Sequence, residues 1–305
     1  MNSSDSTVSA ATSLRNMIQA MRPVQWVKNV FVIAPLVFGL KLNHLPSVLG
    51  ATATFVAFCF AASAVYILND LMDREDDARH PTKKFRPIAS GDLSVRHAQW
   101  GMVLLILSSC LIGLLIHWSV ATVLASYFLN NVAYTLKLKQ LAYIDITCIA
   151  LGFLLRVLAG ALAIDVEPSS WLLACTFLLA SLLALGKRRH ELVVVLRKGQ
   201  WHGTRAVLKR YHLEHIDWAM RILAIVTVIS YALYTLSSNT VAQFQTERLI
   251  YSVPFVFFGL WRFNSIVRKD DNAQSPTDSM VRDRAFLVNV LLWGIFVTTT
   301  IYLSI

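Results

Sequence analysis

Nine apolar runs recur along this chain of 305 residues, and they restrict its fold more than any other feature. They cover residues 27–43, 47–69, 98–118, 119–136, 141–164, 169–186, 218–238, 249–266 and 285–305. Each is about 17–24 residues long, enough to cross a ~30 Å hydrocarbon core as a helix. In lipid, backbone amides must be satisfied within a helix or a closed barrel, and the alternating pattern of barrel strands is absent. The expectation is an all-α polytopic membrane protein with about nine transmembrane helices, forming a single membrane domain over 1–305. Composition agrees: 56% hydrophobic residues, 15% charged and a mean hydropathy of +0.55 do not describe an ordinary soluble domain.

The charges give these spans a direction. With the N-terminus inside, the cytoplasmic segments are the tail (Arg15, Arg22, Lys28), the loop about 70–97, a short turn with Lys137 and Lys139, the loop about 187–217, and the stretch from Arg262 to Arg284. The opposite side carries Lys41 and Arg248. This asymmetry follows the positive-inside rule and predicts a multi-pass protein of the cell's inner (plasma) membrane with its active face cytoplasmic. The net charge of +10 therefore does not point to nucleic acid. It lies where anionic lipid or a phosphorylated substrate would meet it. Met1 to Ala20 lacks the apolar core of a leader peptide. Leu14, Met17, Ile18 and Met21 recur at helical spacing, so 1–22 is expected to lie in the membrane interface. Cys59, Cys110, Cys148 and Cys175 stand singly in apolar spans, without metal-ligand spacing.

Chemistry is concentrated where the second span ends. Asp70, Asp73, Glu75, Asp76 and Asp77 crowd into one short stretch at the mouth of a membrane helix. Such crowding repels itself unless a cation is present. Asn69, Asp73 and Asp77 are spaced i, i+4, i+8 and fall along one helical stripe, with Asp70 beside them. Oxygen donors of this kind suit Mg²⁺, which keeps several waters and is completed by substrate phosphate oxygens. Asp73 and Asp77 are the candidate catalytic residues, and Asn69, Asp70, Asp73 and Asp77 the candidate metal ligands. Lys83, Lys84 and Arg86 follow closely, and Arg86 offers a forked donor to phosphate. Pro81, Pro87 and Gly91 would shape the loop that carries them.

Further candidates for substrate contact lie elsewhere. They are Lys28, Lys83, Arg86, Lys137, Lys139, Asp145, Arg156, Lys187 and Arg188. Asp145 and Arg156 share a face of the fifth span but are three turns apart, too far for a direct contact. Arg156 is expected to face a polar cavity, because a charged side chain inside an apolar span is costly otherwise. After the sixth span, Gly186-Lys187-Arg188-Arg189 opens a cationic segment suited to phosphate rather than metal. Its place, four spans after the acidic segment, suggests two four-helix halves with a ninth helix appended. Lys269 to Pro276 reads as a flexible loop without chemistry. His212-Leu213-Glu214-His215 is not the zinc-hydrolase pattern.

With these residues in view, the chain resembles the UbiA superfamily of intramembrane prenyltransferases, and within it the decaprenyl-phosphate phosphoribosyltransferase branch. The matching pieces are Arg22 to Asn29, Asn69 to Gly91 with its Asn69-Asp70-x-x-Asp73-x-x-x-Asp77 motif and His80-Pro81-Thr82-Lys83, Asp145 to Gly160, and Gly186-Lys187-Arg188. The resemblance implies a UbiA-like helical bundle. It also implies Mg²⁺-dependent transfer of 5-phosphoribose from 5-phosphoribosyl 1-diphosphate to a polyprenyl (decaprenyl) phosphate, for cell-envelope precursor synthesis. One departure matters: superfamily members carry a second acidic motif after the sixth span, where this chain has Lys187-Arg188-Arg189. The alternatives are a UbiA-type prenyltransferase using a prenyl diphosphate and an aromatic acceptor, and a lipid transporter or lipid-binding membrane protein. The sequence leaves the oligomeric state open, a homo-oligomer included.

Overall fold

The computed structural model describes residues 3–80, 82–198, 206–269, 279–280 and 282–304. Among them the chain is helical, with no strand. The long helices in chain order are α1 (Ser3–Met21), α2 (Leu45–Met72), α3 (Val95–Ile116), α4 (Trp118–Leu136), α5 (Ile144–Ala163), α6 (Ser170–Lys198), α7 (Leu213–Leu236), α8 (Val253–Lys269) and α9 (Arg284–Leu303). Seven candidate spans are long and apolar enough to cross a membrane: α2, α3, α5, α6, α7, α8 with the turn before it, and α9. This makes the protein a multi-pass membrane protein, with two of the nine expected spans falling short by length or composition. The run 27–43 becomes a 3₁₀ stretch, Pro23–Val32, and a five-residue helix, Ala34–Phe38. The run 119–136 becomes α4, where Asn130, Asn131 and several hydroxyl side chains dilute the apolar character.

The chain divides into two compact units. The first comprises residues 1–36, 41–136 and 155–167. One apolar core joins Val32, Phe58, Val65, Val120, Tyr127 and Ala159. Small residues let backbones approach here, as membrane helices require in the absence of a hydrophobic drive between them. Gly160 is the sharpest case: a Cβ there would lie 2.0 Å from the Val32 carbonyl oxygen. A second core joins Ala20, Ile67, Ile88, Leu93 and Ala98, with Met17 and Met21 packed on it. The expected interfacial helix is therefore divided. Met17 and Met21 face this core, whereas Leu14 and Ile18 are exposed.

The stretch expected as a loop over 70–97 is largely ordered helix. α2 runs on to Met72, and the short helices Arg74–Arg79, Lys83–Phe85 and Pro87–Ser90 follow. Buried Ile88 and Leu93 pin this return to the core. Gly91 ends the last short helix at φ 87°, a left-handed conformation that favours glycine. Ser94 then caps α3 by accepting the His97 amide. Pro81 lies outside the described residues.

The second unit comprises residues 37–40, 137–154 and 168–305. Its main core gathers Ile146, Leu182, Leu185, Leu208, Ile216, Met220 and Phe263. The expected loop at 187–217 begins as helix, because α6 continues to Lys198. A 3₁₀ turn, Ala206–Arg210, leads into α7, and residues 199–205 lie outside the described residues. The same holds for 270–276 of the expected flexible segment. At the start of α9, Asp283 accepts the Phe286 amide and binds Arg262 of α8 at 2.6 Å.

Candidate active site

In the first unit, the site is built where α2 stops. Asp73 closes α2 with its own amide on the Asn69 carbonyl, and the Asp77 amide bonds the Asp73 carbonyl in turn. The i, i+4, i+8 stripe is thus kept across a helix junction. Asn69 reaches sideways: its Oδ1 accepts the Thr135 hydroxyl of α4 at 2.5 Å. Asp73 is half-buried, Asp77 is buried, and Glu75 and Asp76 are exposed.

Cations close on two of these acids. Arg86 donates through Nη1 to Asp77 Oδ2 at 2.5 Å and to Asp70 Oδ1 at 3.1 Å. Lys83 Nζ lies 3.7 Å from Asp77 Oδ1. Arg22 donates through Nη2 to the same Asp70 oxygen at 2.5 Å, and its guanidinium lies over the Tyr66 ring. Arg86 is placed by its neighbour, because a residue before proline is driven to extended backbone, here φ −68° and ψ 140°. Pro87 then starts the short helix that Ile88 anchors. Sequence reasoning placed Arg22 in the cytoplasmic tail but not among the site residues. Its signal lies in Arg22-Pro23, since proline fixes where the next helix starts.

Deeper in the same unit, Arg156 of α5 is buried. Its Nε donates to Asn29 Oδ1 at 2.7 Å and its Nη2 to the Tyr127 hydroxyl at 3.0 Å. The guanidinium stacks over Tyr127 and Phe58. Asn29 in turn donates to Cys59 Sγ. Asn29 and Tyr127 are polar partners of Arg156 that the sequence did not single out. Lys28, beside Asn29, is half-buried.

The second unit holds a separate polar cluster. Arg188 of α6 is fully buried. Its Nε donates to Asp145 Oδ2 and its Nη1 to Glu191 Oε2, each at 2.5 Å. The Tyr211 hydroxyl donates to Asp145 Oδ1 at 2.5 Å and accepts the Tyr143 amide at 2.8 Å. Burial and the bond to Asp145 raise the Tyr211 hydroxyl above the ordinary tyrosine range. Arg189 pairs with Asp217 of α7 at 2.6 Å. Sequence reasoning put Arg188 and Asp145 among substrate contacts, but the structure closes them on each other inside the unit. Lys187 and Lys137 are exposed and Lys139 is half-buried.

The donor set at the end of α2 is hard oxygen: an amide and two carboxylates one turn apart. Mg²⁺ takes one or two protein carboxylates and fills its other positions with water and phosphate. Asn69, Asp73 and Asp77 fit that demand in chemistry. No cluster of three acidic, His or Cys side chains able to hold a metal alone occurs among the described residues.

The model of the UbiA prenyltransferase family matches residues 30–290 of this chain. A protein of Mycolicibacterium smegmatis named decaprenyl-phosphate phosphoribosyltransferase is 32% identical, over 94% of this chain and 93% of its own. One of the same name from Corynebacterium glutamicum is 34% identical, over 94% of this chain and 87% of its own. Among solved structures, a UbiA homolog from Archaeoglobus fulgidus bound to DMAPP and Mg²⁺ superposes with a TM-score of 0.70 at 18% identity. That match covers 94% of this chain and 99% of the homolog. The shared architecture is the UbiA helical bundle.

Proposed function

Because the chain belongs to the UbiA prenyltransferase family and is a membrane transferase, we propose that it transfers 5-phosphoribose from 5-phosphoribosyl 1-diphosphate to a polyprenyl phosphate. Diphosphate is released, the cofactor is Mg²⁺, and the product serves as a cell-envelope precursor. The observation that carries this choice of donor is the chemistry near Arg188. There the acids Asp145, Glu191 and Asp217 are each paired with an arginine of α6. A prenyl diphosphate donor of the usual superfamily kind calls for a second acidic motif at this place, where this chain carries Lys187-Arg188-Arg189 instead. The relatives with the phosphoribosyltransferase name align over almost the whole chain, which supports the same reading.

In this reading, the C1–oxygen bond to diphosphate breaks while an oxygen of the lipid phosphate bonds C1. Mg²⁺ held by Asn69, Asp73 and Asp77 would supply charge to the departing diphosphate. Arg86 and Lys83, already placed beside Asp77, donate hydrogen bonds to phosphate oxygens that become more negative as the bond breaks. The ribose gains oxocarbenium character at C1, as in other glycosyl transfers. The lipid phosphate is anionic and requires no strong general base, so catalysis is positioning plus electrostatics. Lys28 and Arg156 in the first unit, and Lys137, Lys139 and Lys187 in the second, are proposed contacts for substrate charge. Asp145 and Arg188 support the second unit from within. The Lys/Arg asymmetry supports a cytoplasmic active face in the inner membrane, where a soluble, multiply charged donor is available.

Asp73→Asn tests the metal-dependent step. Loss of one carboxylate charge should lower turnover more than about tenfold while helicity is unchanged, since losing even an outer-shell partner of a metal ligand costs about 10–100-fold. A chelator should mimic the variant and added Mg²⁺ should reverse the chelator. Near-normal turnover of the variant in Mg²⁺ would contradict the assignment.

A further inference from the structure

Asp70 stands one residue after Asn69, so its side chain leaves α2 about 100° away from the Asn69–Asp73–Asp77 stripe. The structure uses that difference. Asn69 turns to Thr135 of α4, whereas Asp70 takes both Arg22 and Arg86 on the single oxygen Oδ1. The two arginines arrive from different parts of the chain. Arg22 lies between α1 and the 3₁₀ stretch in a left-handed conformation, φ 55° and ψ 61°. Arg86 precedes Pro87 in the ordered return after α2. The acid is at the base of the arrangement and the cations at its mouth. The Asp70 side chain is 3% exposed, against 28% for Arg22 and 29% for Arg86.

A left-handed backbone at a non-glycine residue persists where surrounding contacts over-determine it. Here those contacts are the Asp70 carboxylate and the Tyr66 ring under the guanidinium. Two planar guanidinium groups held by one buried carboxylate, Arg86 by Asp77 as well, lose little further freedom on meeting an anion, and both side chains remain partly exposed. We propose that Asp70 is a positioning residue that holds Arg22 and Arg86 as a paired clamp for the diphosphate group of the donor, and that it is not a metal ligand. This rests on the proposed use of a diphosphate-bearing donor. It does not depend on whether the transferred group is ribosyl or prenyl.

The test uses the full-length protein in detergent, with inorganic diphosphate as the probe and calorimetric titration in Mg²⁺ as the readout. Asp70→Asn and Arg22→Lys should each weaken diphosphate binding about tenfold, the loss expected for one charge-assisted contact. Arg22→Lys keeps the charge and removes the fork, so it remains informative if Asp70→Asn unfolds. At saturating diphosphate, the Mg²⁺ concentration for half-maximal binding should stay at the wild-type value in both variants and rise in Asp73→Asn. A raised Mg²⁺ requirement in Asp70→Asn would make it a metal ligand and overturn the proposal. Wild-type diphosphate affinity in Arg22→Lys, or in folded Asp70→Asn, would overturn it equally. Failure of the ribosyl reading would appear elsewhere, as absent transfer from phosphoribosyl diphosphate with this clamp intact.

Discussion

Lys187 and Arg188 are adjacent in the chain and opposite in environment. Lys187 is exposed, while Arg188 is fully enclosed with Asp145 and Glu191. Removing one partner of a buried ion pair leaves the other charged and desolvated, which costs about 3–5 kcal/mol. Arg188→Ala should therefore lower thermal stability strongly, whatever it does to activity. Lys187→Ala should leave the melting temperature in place and raise KM for one phosphorylated substrate roughly tenfold, as for loss of a charge-assisted bond. Equal melting temperatures for the two variants would contradict this division. The stripe Asn69, Asp73, Asp77 was legible in the sequence because helical periodicity is local. The partners of Asp145 and Asp70 were not, because Arg188 is 43 residues from Asp145 and Arg22 is 48 from Asp70. Only packing brings such pairs together.

Helix ends and close approaches decide what the elements can do. The return after α2 was expected as a polar loop, since its composition is charged. Two apolar residues inside it, Ile88 and Leu93, bury themselves and convert it into an ordered support for Arg86. A hydropathy average across that stretch hides two anchors among many charges. In the same way, the run 27–43 was apolar enough to suggest a span, but it breaks at Ile33 between a 3₁₀ stretch begun by Pro23 and a five-residue helix with Pro35 in its first turn. Its partner in packing is Gly160, where the Val32 carbonyl occupies the space of a side chain. Gly160→Ala should force these backbones apart and destabilise the protein by about 1–3 kcal/mol, as for overpacked cores. Thermal unfolding in detergent would show it, and a variant as stable as wild type would mean that the 3₁₀ stretch does not rest on α5.

For the whole molecule, the helical class and membrane setting were legible from apolar runs alone, because lipid admits so few backbone solutions. The span count was less so, because the helix fails by length at 27–43 and by composition at 119–136. The proposed orientation rests on the Lys/Arg asymmetry. Ser90 and Asn43 are exposed and lie beyond opposite ends of α2, whose 28 residues measure about 42 Å. In a background lacking native cysteines, a thiol at Ser90 should react only from the cytoplasm and one at Asn43 only from outside. Labelling of Ser90 from outside alone would remove the access route proposed for the soluble donor.

The central claim concerns the donor, and one assay addresses it directly. Purified protein with Mg²⁺ is given a polyprenyl phosphate together with either 5-phosphoribosyl 1-diphosphate or a prenyl diphosphate, and a parallel reaction supplies an aromatic acceptor. The account predicts a polyprenyl-phosphoryl 5-phosphoribose product and released diphosphate from the ribosyl donor, with no prenylated aromatic product. Turnover of the prenyl diphosphate onto the aromatic acceptor, with the ribosyl donor left intact, would contradict it.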